Sequence, residues 1–130
     1  MKINILTIAG SLGAIGVALG ALGAHALKPL LNEPSMQTYQ TGVHYHLIHS
    51  VVLLVLGFQQ GKSAMIDRAG QLFTLGILLF SGSLYFLALR PLIGLEQVKW
   101  PGAITPFGGV AFIAGWILVC FANINKVNKF

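Results

Sequence analysis

The sequence predicts an all-α membrane protein: four transmembrane helices in an up-down antiparallel bundle, both termini cytoplasmic, with residues 1–130 forming one integral membrane domain. Three observations carry this reading. Only 8% of the 130 residues are charged and 55% are hydrophobic, with a mean hydropathy of +0.79. A soluble domain carries about 25% charged residues, so this chain lacks the material for a water-facing shell. Four stretches, about 3–26, 42–58, 72–89 and 105–122, contain no Asp, Glu, Lys or Arg and approach the ~20 apolar residues that a membrane-crossing helix needs. The connections between them hold Pro29, Pro34, Gly61, Pro91 and Pro101, which break helices, and short links make antiparallel neighbours.

The first span follows Lys2 and ends in "AHA" at residues 24–26, a pattern that imitates a cleaved signal peptide. Its apolar length exceeds the ~7–15 residues of a signal core, so it is read as a retained helix. At ~100° per residue, Ile8, Leu12, Ile15, Leu19 and Leu22 form one stripe and Gly10, Gly13, Gly16, Gly20 and Gly23 another. Small residues allow close approach of helices in lipid. The aliphatic stripe is therefore expected to face lipid, and the glycine stripe a helix of the same chain or of a second copy. The fourth span repeats the device with Gly108, Ala111 and Gly115, while Trp100 suits an interfacial anchor.

The second span opens with three of the four histidines. Helical spacing puts Tyr45, His46 and His49 on one arc and His44 on the other side, as a head-group residue. On the third span Ser81 and Tyr85 share an arc and Ser83 faces away. In an up-down bundle His25, Tyr45, His46, His49, Ser81, Tyr85 and Thr105 gather toward one membrane surface as a candidate polar layer or ligand site. Unpaired buried polar groups cost ~1–3 kcal/mol each, so a mutually satisfied layer that fixes helix register is the simplest account.

Orientation follows the Lys and Arg count. Lys2, Lys62, Arg68, Lys126 and Lys129 fall on the side of the termini, against Lys28, Arg90 and Lys99 on the other. These residues are scattered, with no basic cluster or aromatic platform. They suit membrane lipid head groups and not nucleic acid. The single cysteine, Cys120, excludes an intrachain disulfide and any multi-thiolate metal site.

The segments "GALGAHALK", "YQTGVHYHLIHS", "SGSLYFLAL" and "ITPFGGVAFIAGW" together resemble a small family of unknown function that includes bacterial YgdD and YwdK and the eukaryotic transmembrane protein 256 group. The likeness spans nearly the whole chain. It implies a four-span protein of the bacterial inner membrane. The matching positions are Gly23, His25, Tyr45, His49, Ser81, Gly82, Tyr85, Thr105, Pro106, Gly109 and Trp116, and the resemblance brings no established activity with it.

The function these features favour is non-enzymatic: support of envelope integrity or membrane assembly, with a homo-oligomer or a membrane partner held through the glycine stripes, and no cofactor or metal. One alternative is a redox protein binding haem or quinone through His25 and His49, since histidine commonly holds haem iron. It lacks a C-x-x-C-H motif and carboxylates inside the spans. Another is a small oligomeric transporter, although Glu33, Asp67 and Glu96 all lie in connections and cation export generally uses an intramembrane carboxylate. Hydrolysis through Ser81 or Ser83 with His49 would lack the acid that orients a triad imidazole.

Overall fold

The computed structural model describes residues 4–122. Ile3 of the first expected span, and Lys2, Lys126 and Lys129 of the charge count, lie outside the described residues. Helix α1 (Ile5–Leu22) starts where Asn4 Oδ1 accepts the backbone N–H groups of Leu6 and Thr7 at 2.9 and 3.4 Å, satisfying donors that a helix start leaves open. It continues as a π-helical segment, Gly23–Leu27. Helix α2 (Glu33–Gly57) is capped by Asn32, which accepts from Ser35 N–H at 2.9 Å; Pro34 and Glu33 lie in its first turn, where a fixed φ and a negative charge both favour initiation. Helix α3 (Ala64–Gly76), capped by Ser63, passes through a π-helical segment, Ile77–Ser81, into α4 (Gly82–Leu89). Two 3-10 turns, Arg90–Ile93 and Trp100–Ala103, lead to α5 (Thr105–Ala122). The first of them ends at Gly94, whose φ of +70° suits a residue without Cβ. Arg90 Nη1 donates to Val98 O at 2.7 Å across this connection. No strand occurs among the described residues.

The layers alternate in direction. Ile5 N–H donates to Gln60 Oε1 at 3.0 Å, joining the start of α1 to the end of α2, while Gly23 meets Tyr39 at the opposite end. Helix α2 packs on α1 along one side and on α3, the second π segment and α4 along the other; α5 closes against α3 and that segment. The main apolar core gathers Ile5, Ala9, Leu53, Leu56, Ala69, Phe73, Ile77 and Phe112, and a smaller cluster holds Leu27, Tyr39 and Ala88.

Three helical stretches are long and apolar enough to cross a membrane: Ile5–Leu27, Ala64–Ile93 and Trp100–Ala122, with mean hydropathies of 2.1, 2.0 and 2.0. The expected second span, 42–58, falls in α2 up to its cap at Phe58; the 25 residues of α2 are long enough, but their first half, "EPSMQTYQTGVHYH", is polar. The expected third span, 72–89, begins two turns earlier, at the Ser63 cap. Large side chains such as Val17 (64% exposed), Val55 (59%) and Ile113 (62%) cover the outside, a surface unsuited to water and matched to lipid.

The aliphatic stripe of α1 is not uniformly outward. Ile15 and Leu22 are exposed, but Ile8 and Leu12 pack against the main core and Leu19 against the smaller cluster. The glycines let α2 approach closely, and the larger side chains beside them then straddle it. The glycine stripe divides likewise. A Cβ at Gly16 would lie 2.7 Å from Leu47 Cδ2, at Gly23 2.6 Å from Tyr39 Cε1, and at Gly20 3.4 Å from Val43, whereas Gly10 and Gly13 have nothing within 4 Å. Toward its N-terminus α1 crosses α2 with the roles exchanged. There Leu6 presses on Gly57 of α2 and Ile5 on Gly70 of α3, so Gly10, exposed, and Gly13, half-buried, face no other helix.

Candidate functional site

The polar layer is built mainly from the inner face of α2. His46 and His49, one turn apart, are 3% and 4% exposed. His49 Nδ1 lies 2.8 Å from Tyr45 O; a carbonyl only accepts, so Nδ1 carries the proton and Nε2 offers its lone pair. Trp116 Nε1–H donates to that lone pair from α5 at 3.4 Å. The imidazole also stacks on Phe112, with centroids 3.7 Å apart and planes at 11°. Both nitrogens of His49 are thus engaged, in an aromatic slot closed by Phe73.

His46 is arranged otherwise. Its Nδ1 is 2.9 Å from Tyr85 OH on α4, while its Nε2 is buried without a hydrogen-bond partner among the described residues. The ring lies against α1, with Cδ2 3.3 Å from where a Gly16 Cβ would stand. Tyr85 in turn lies beside Tyr39, centroids 5.3 Å apart, and Tyr39 OH donates to Leu19 O of α1 at 2.7 Å.

The hydroxyls complete the layer. Ser81 Oγ donates to Gly42 O at 2.8 Å, linking the second π segment to α2. Ser83 Oγ donates to Phe80 O at 2.9 Å and lies 2.6 Å from Thr105 Oγ1 on α5; with its one proton engaged by the carbonyl, Ser83 accepts from Thr105. Ser50 Oγ donates to His46 O at 2.8 Å.

The residues grouped by sequence therefore separate. His46, Tyr85 and Ser81 converge between α2 and the helix of α3 and α4. His49 turns toward α5. Thr105 joins Ser83 and not Tyr85; Ser83 faces away from the arc of Ser81 and Tyr85, as expected, but is buried there against α5. Tyr45 is 39% exposed; its ring lies 4.5 Å from that of Phe80, and its contribution to the layer is its main-chain carbonyl. His25 is exposed, because Gly23 and Leu27 take the buried positions of its π-helical turn. The two imidazoles expected to face each other, His25 and His49, are not brought together, and His49 has both nitrogens occupied. On α5, a Cβ at Gly115 would lie 2.9 Å from Phe73 Cε1, and one at Gly108 would strike the backbone nitrogen of Phe80.

Sequence reasoning misses Tyr39 and Ser50. Tyr39, 1% exposed, falls before the expected start of the second span, although "NEP" at residues 32–34 signals a helix start upstream of it. The layer holds no carboxylate and no hydrogen bond between a serine hydroxyl and an imidazole among the described residues, and no group of three or more His, Cys, Asp or Glu is placed to hold a metal there.

Comparison with known proteins places the chain. Residues 19–109 match the family described as "Protein of unknown function (DUF423)". The chain is 40% identical over 126 residues to UPF0382 membrane protein YwdK of Bacillus subtilis, covering 94% of this chain and 98% of that protein. It is 38% identical over 127 residues to UPF0382 inner membrane protein YgdD of Escherichia coli, covering 96% and 92%, and 35% identical over 129 residues to a UPF0382 membrane protein of Haemophilus influenzae, covering 97% and 98%. No solved structure matches. With a family match over most of its length and relatives above 30% identity along nearly all of it, the chain belongs to the DUF423 family and is a membrane protein.

Proposed function

We propose that this chain is a four-span protein of the bacterial inner membrane with cytoplasmic termini, and that it acts without catalysis, as a helical scaffold supporting envelope integrity or membrane assembly. One observation carries the reading: apart from Ser50, which bonds within α2, and the open Nε2 of His46, the buried polar side chains are engaged between helices. Tyr39 binds α1 from α2; His46–Tyr85 and Ser81–Gly42 join α2 to the helix of α3 and α4; Ser83–Thr105 and Trp116–His49 fasten α5. In lipid, packing and such bonds, not burial from water, hold helices together. The second span is supported by the length of α2 and by the apolar run from Val51 to Gly57 at its end, with its polar first half reaching the outer surface.

Topology is the testable part. In a chain with Cys120 replaced by Ser, a membrane-impermeant maleimide applied to intact cells should label Ser35→Cys and spare Ser63→Cys until the membrane is opened. Labelling of Ser63→Cys alone reverses the orientation. Equal labelling of both means that α2 does not cross.

A further inference from the structure

Length and charge fix where the membrane ends on α4. The 21 residues 69–89, between Arg68 and Arg90, carry no charge and at ~1.5 Å per residue run roughly 30 Å, the thickness of a hydrocarbon core. Arg90 therefore marks one boundary, and the connection to α5 begins there. Its composition is not that of a loop in water. Leu92, Ile93, Leu95 and Trp100 are all exposed, Ile93 by 60% and Trp100 by 67%, whereas the link from α2 to α3, residues 59–63, reads "QQGKS". Much of the backbone is satisfied from within. Leu95 N–H donates to Arg90 O at 2.9 Å, and Val98 N–H to Leu95 O and Gly102 N–H to Lys99 O at 3.0 Å; Arg90 Nη1 takes Val98 O. The second 3-10 turn then folds back along α4. Its Pro101 is buried, and a Cβ at Gly102 would lie 3.8 Å from Leu87 Cδ1, a residue on the hydrocarbon side of Arg90.

We infer that residues 90–103 form an interfacial segment whose partner is the lipid of the leaflet at the Arg90 end. Leu92, Ile93, Leu95 and Trp100 are set into the boundary between head groups and acyl chains. Apolar side chains gain there by burial, tryptophan favours that depth, and a backbone bonded to itself tolerates the loss of water. The exposed Glu96, Gln97 and Lys99 supply the polar side that such a segment needs. The next large exposed side chains along the chain are Phe107 and Val110 of α5, so the apolar surface of the connection continues into the lipid-facing surface of that helix. The inference rests on α5 and the helix of α3 and α4 crossing the membrane. It needs neither the crossing of α2 nor the orientation of the chain.

The test uses the full chain in phosphatidylcholine–phosphatidylglycerol vesicles, with Cys120 replaced by Ser and a nitroxide attached to one introduced cysteine. Power saturation reads its collisions with oxygen, which enters lipid, and with a nickel chelate, which stays in water. Ile93→Cys and Leu95→Cys should give an oxygen-to-nickel ratio roughly threefold or more above that of Lys62→Cys, as burial ~5–10 Å into the interface requires. Their ratio should stay below that of Ile113→Cys, exposed at mid-height on α5. A ratio at Ile93→Cys and Leu95→Cys equal to that at Lys62→Cys places the segment in water and overturns the inference. Low collision rates with both reagents mean that a second copy covers it, and overturn it as well. A water-like ratio at Ile113→Cys removes the crossing of α5, and the inference falls with that reading.

Discussion

Gly108→Ala tests the packing of α5 at its tightest point. The added Cβ would fall on the main-chain nitrogen of Phe80 and 2.7 Å from its Cα. Main chain, unlike the end of a flexible side chain, retreats only by moving its helix. Phe80 sits in the Ile77–Ser81 segment, where Ser81, with Ser83 just beyond it in α4, fastens the chain to α2 and α5, so retreat breaks hydrogen bonds. Overpacking of this kind costs ~1–3 kcal/mol, and the rigidity here argues for the upper end. Alanine also favours helix over glycine by ~1 kcal/mol, leaving a net loss of about 2 kcal/mol. Gly10→Ala, with nothing within 4 Å, carries the helix gain alone. The two variants should thus differ by about 3 kcal/mol, roughly a hundredfold in the unfolding constant. Unfolding in mixed micelles by increasing SDS, followed by tryptophan fluorescence, reads both. Equal stability of Gly108→Ala and Gly10→Ala would refute the assigned approach of α5 to the second π segment.

The same contacts set two further outcomes. Leu12→Ala, which removes a side chain packed on the main core, should lower stability by about 1–3 kcal/mol, while Ile15→Ala on the exposed side stays within ~0.5 kcal/mol; equal effects in the same SDS titration would show that α1 is rotated. His44→Gln should leave stability unchanged, and His49→Gln should keep the protein folded with modest loss, because Tyr45 O already accepts a helix bond and the glutamine carbonyl can accept from Trp116 Nε1–H as the imidazole does; unfolding midpoints measure both, and a collapse of His49→Gln would mean that its imidazole does more than fill the aromatic slot.

The number of long helices, the breakers between them and the bounds of α5 are legible because apolar runs and prolines act locally: 105–122 is the expected span and the observed helix. The polar start of α2 escapes a hydropathy criterion, which ignores the Asn32 cap and Pro34 that initiate it. Within the layer, a constant 100° per residue places His46, His49, Ser81 and Tyr85 inward and His44 outward. That rule breaks at the two π-helical turns, which shift the phase of the residues beyond them, and it says nothing of which neighbour an inward residue meets. Ser83 does lie on the face opposite Tyr85, as the rule places it, but that face meets α5; His25 is put inward when Gly23 and Leu27 hold the buried positions around it. Which histidine keeps an open nitrogen, His46 and not His49, depends on partners from three other helices and has no signature in α2 itself.

The claim that buried polar groups serve to hold the helices together is tested most directly by a double-mutant cycle on His46 and Tyr85, whose bond crosses from α2 to α4 at 2.9 Å. His46→Leu strands the Tyr85 hydroxyl and Tyr85→Phe strands His46 Nδ1, each costing ~1–3 kcal/mol, whereas removing both partners leaves nothing stranded. Stability in mixed micelles should therefore fall for each single variant, and the double variant should be more stable than the sum of the two losses predicts, by about 0.6–1.7 kcal/mol, the range of interhelical bonds in membranes. Strict additivity, to within ~0.3–0.5 kcal/mol, would contradict the account.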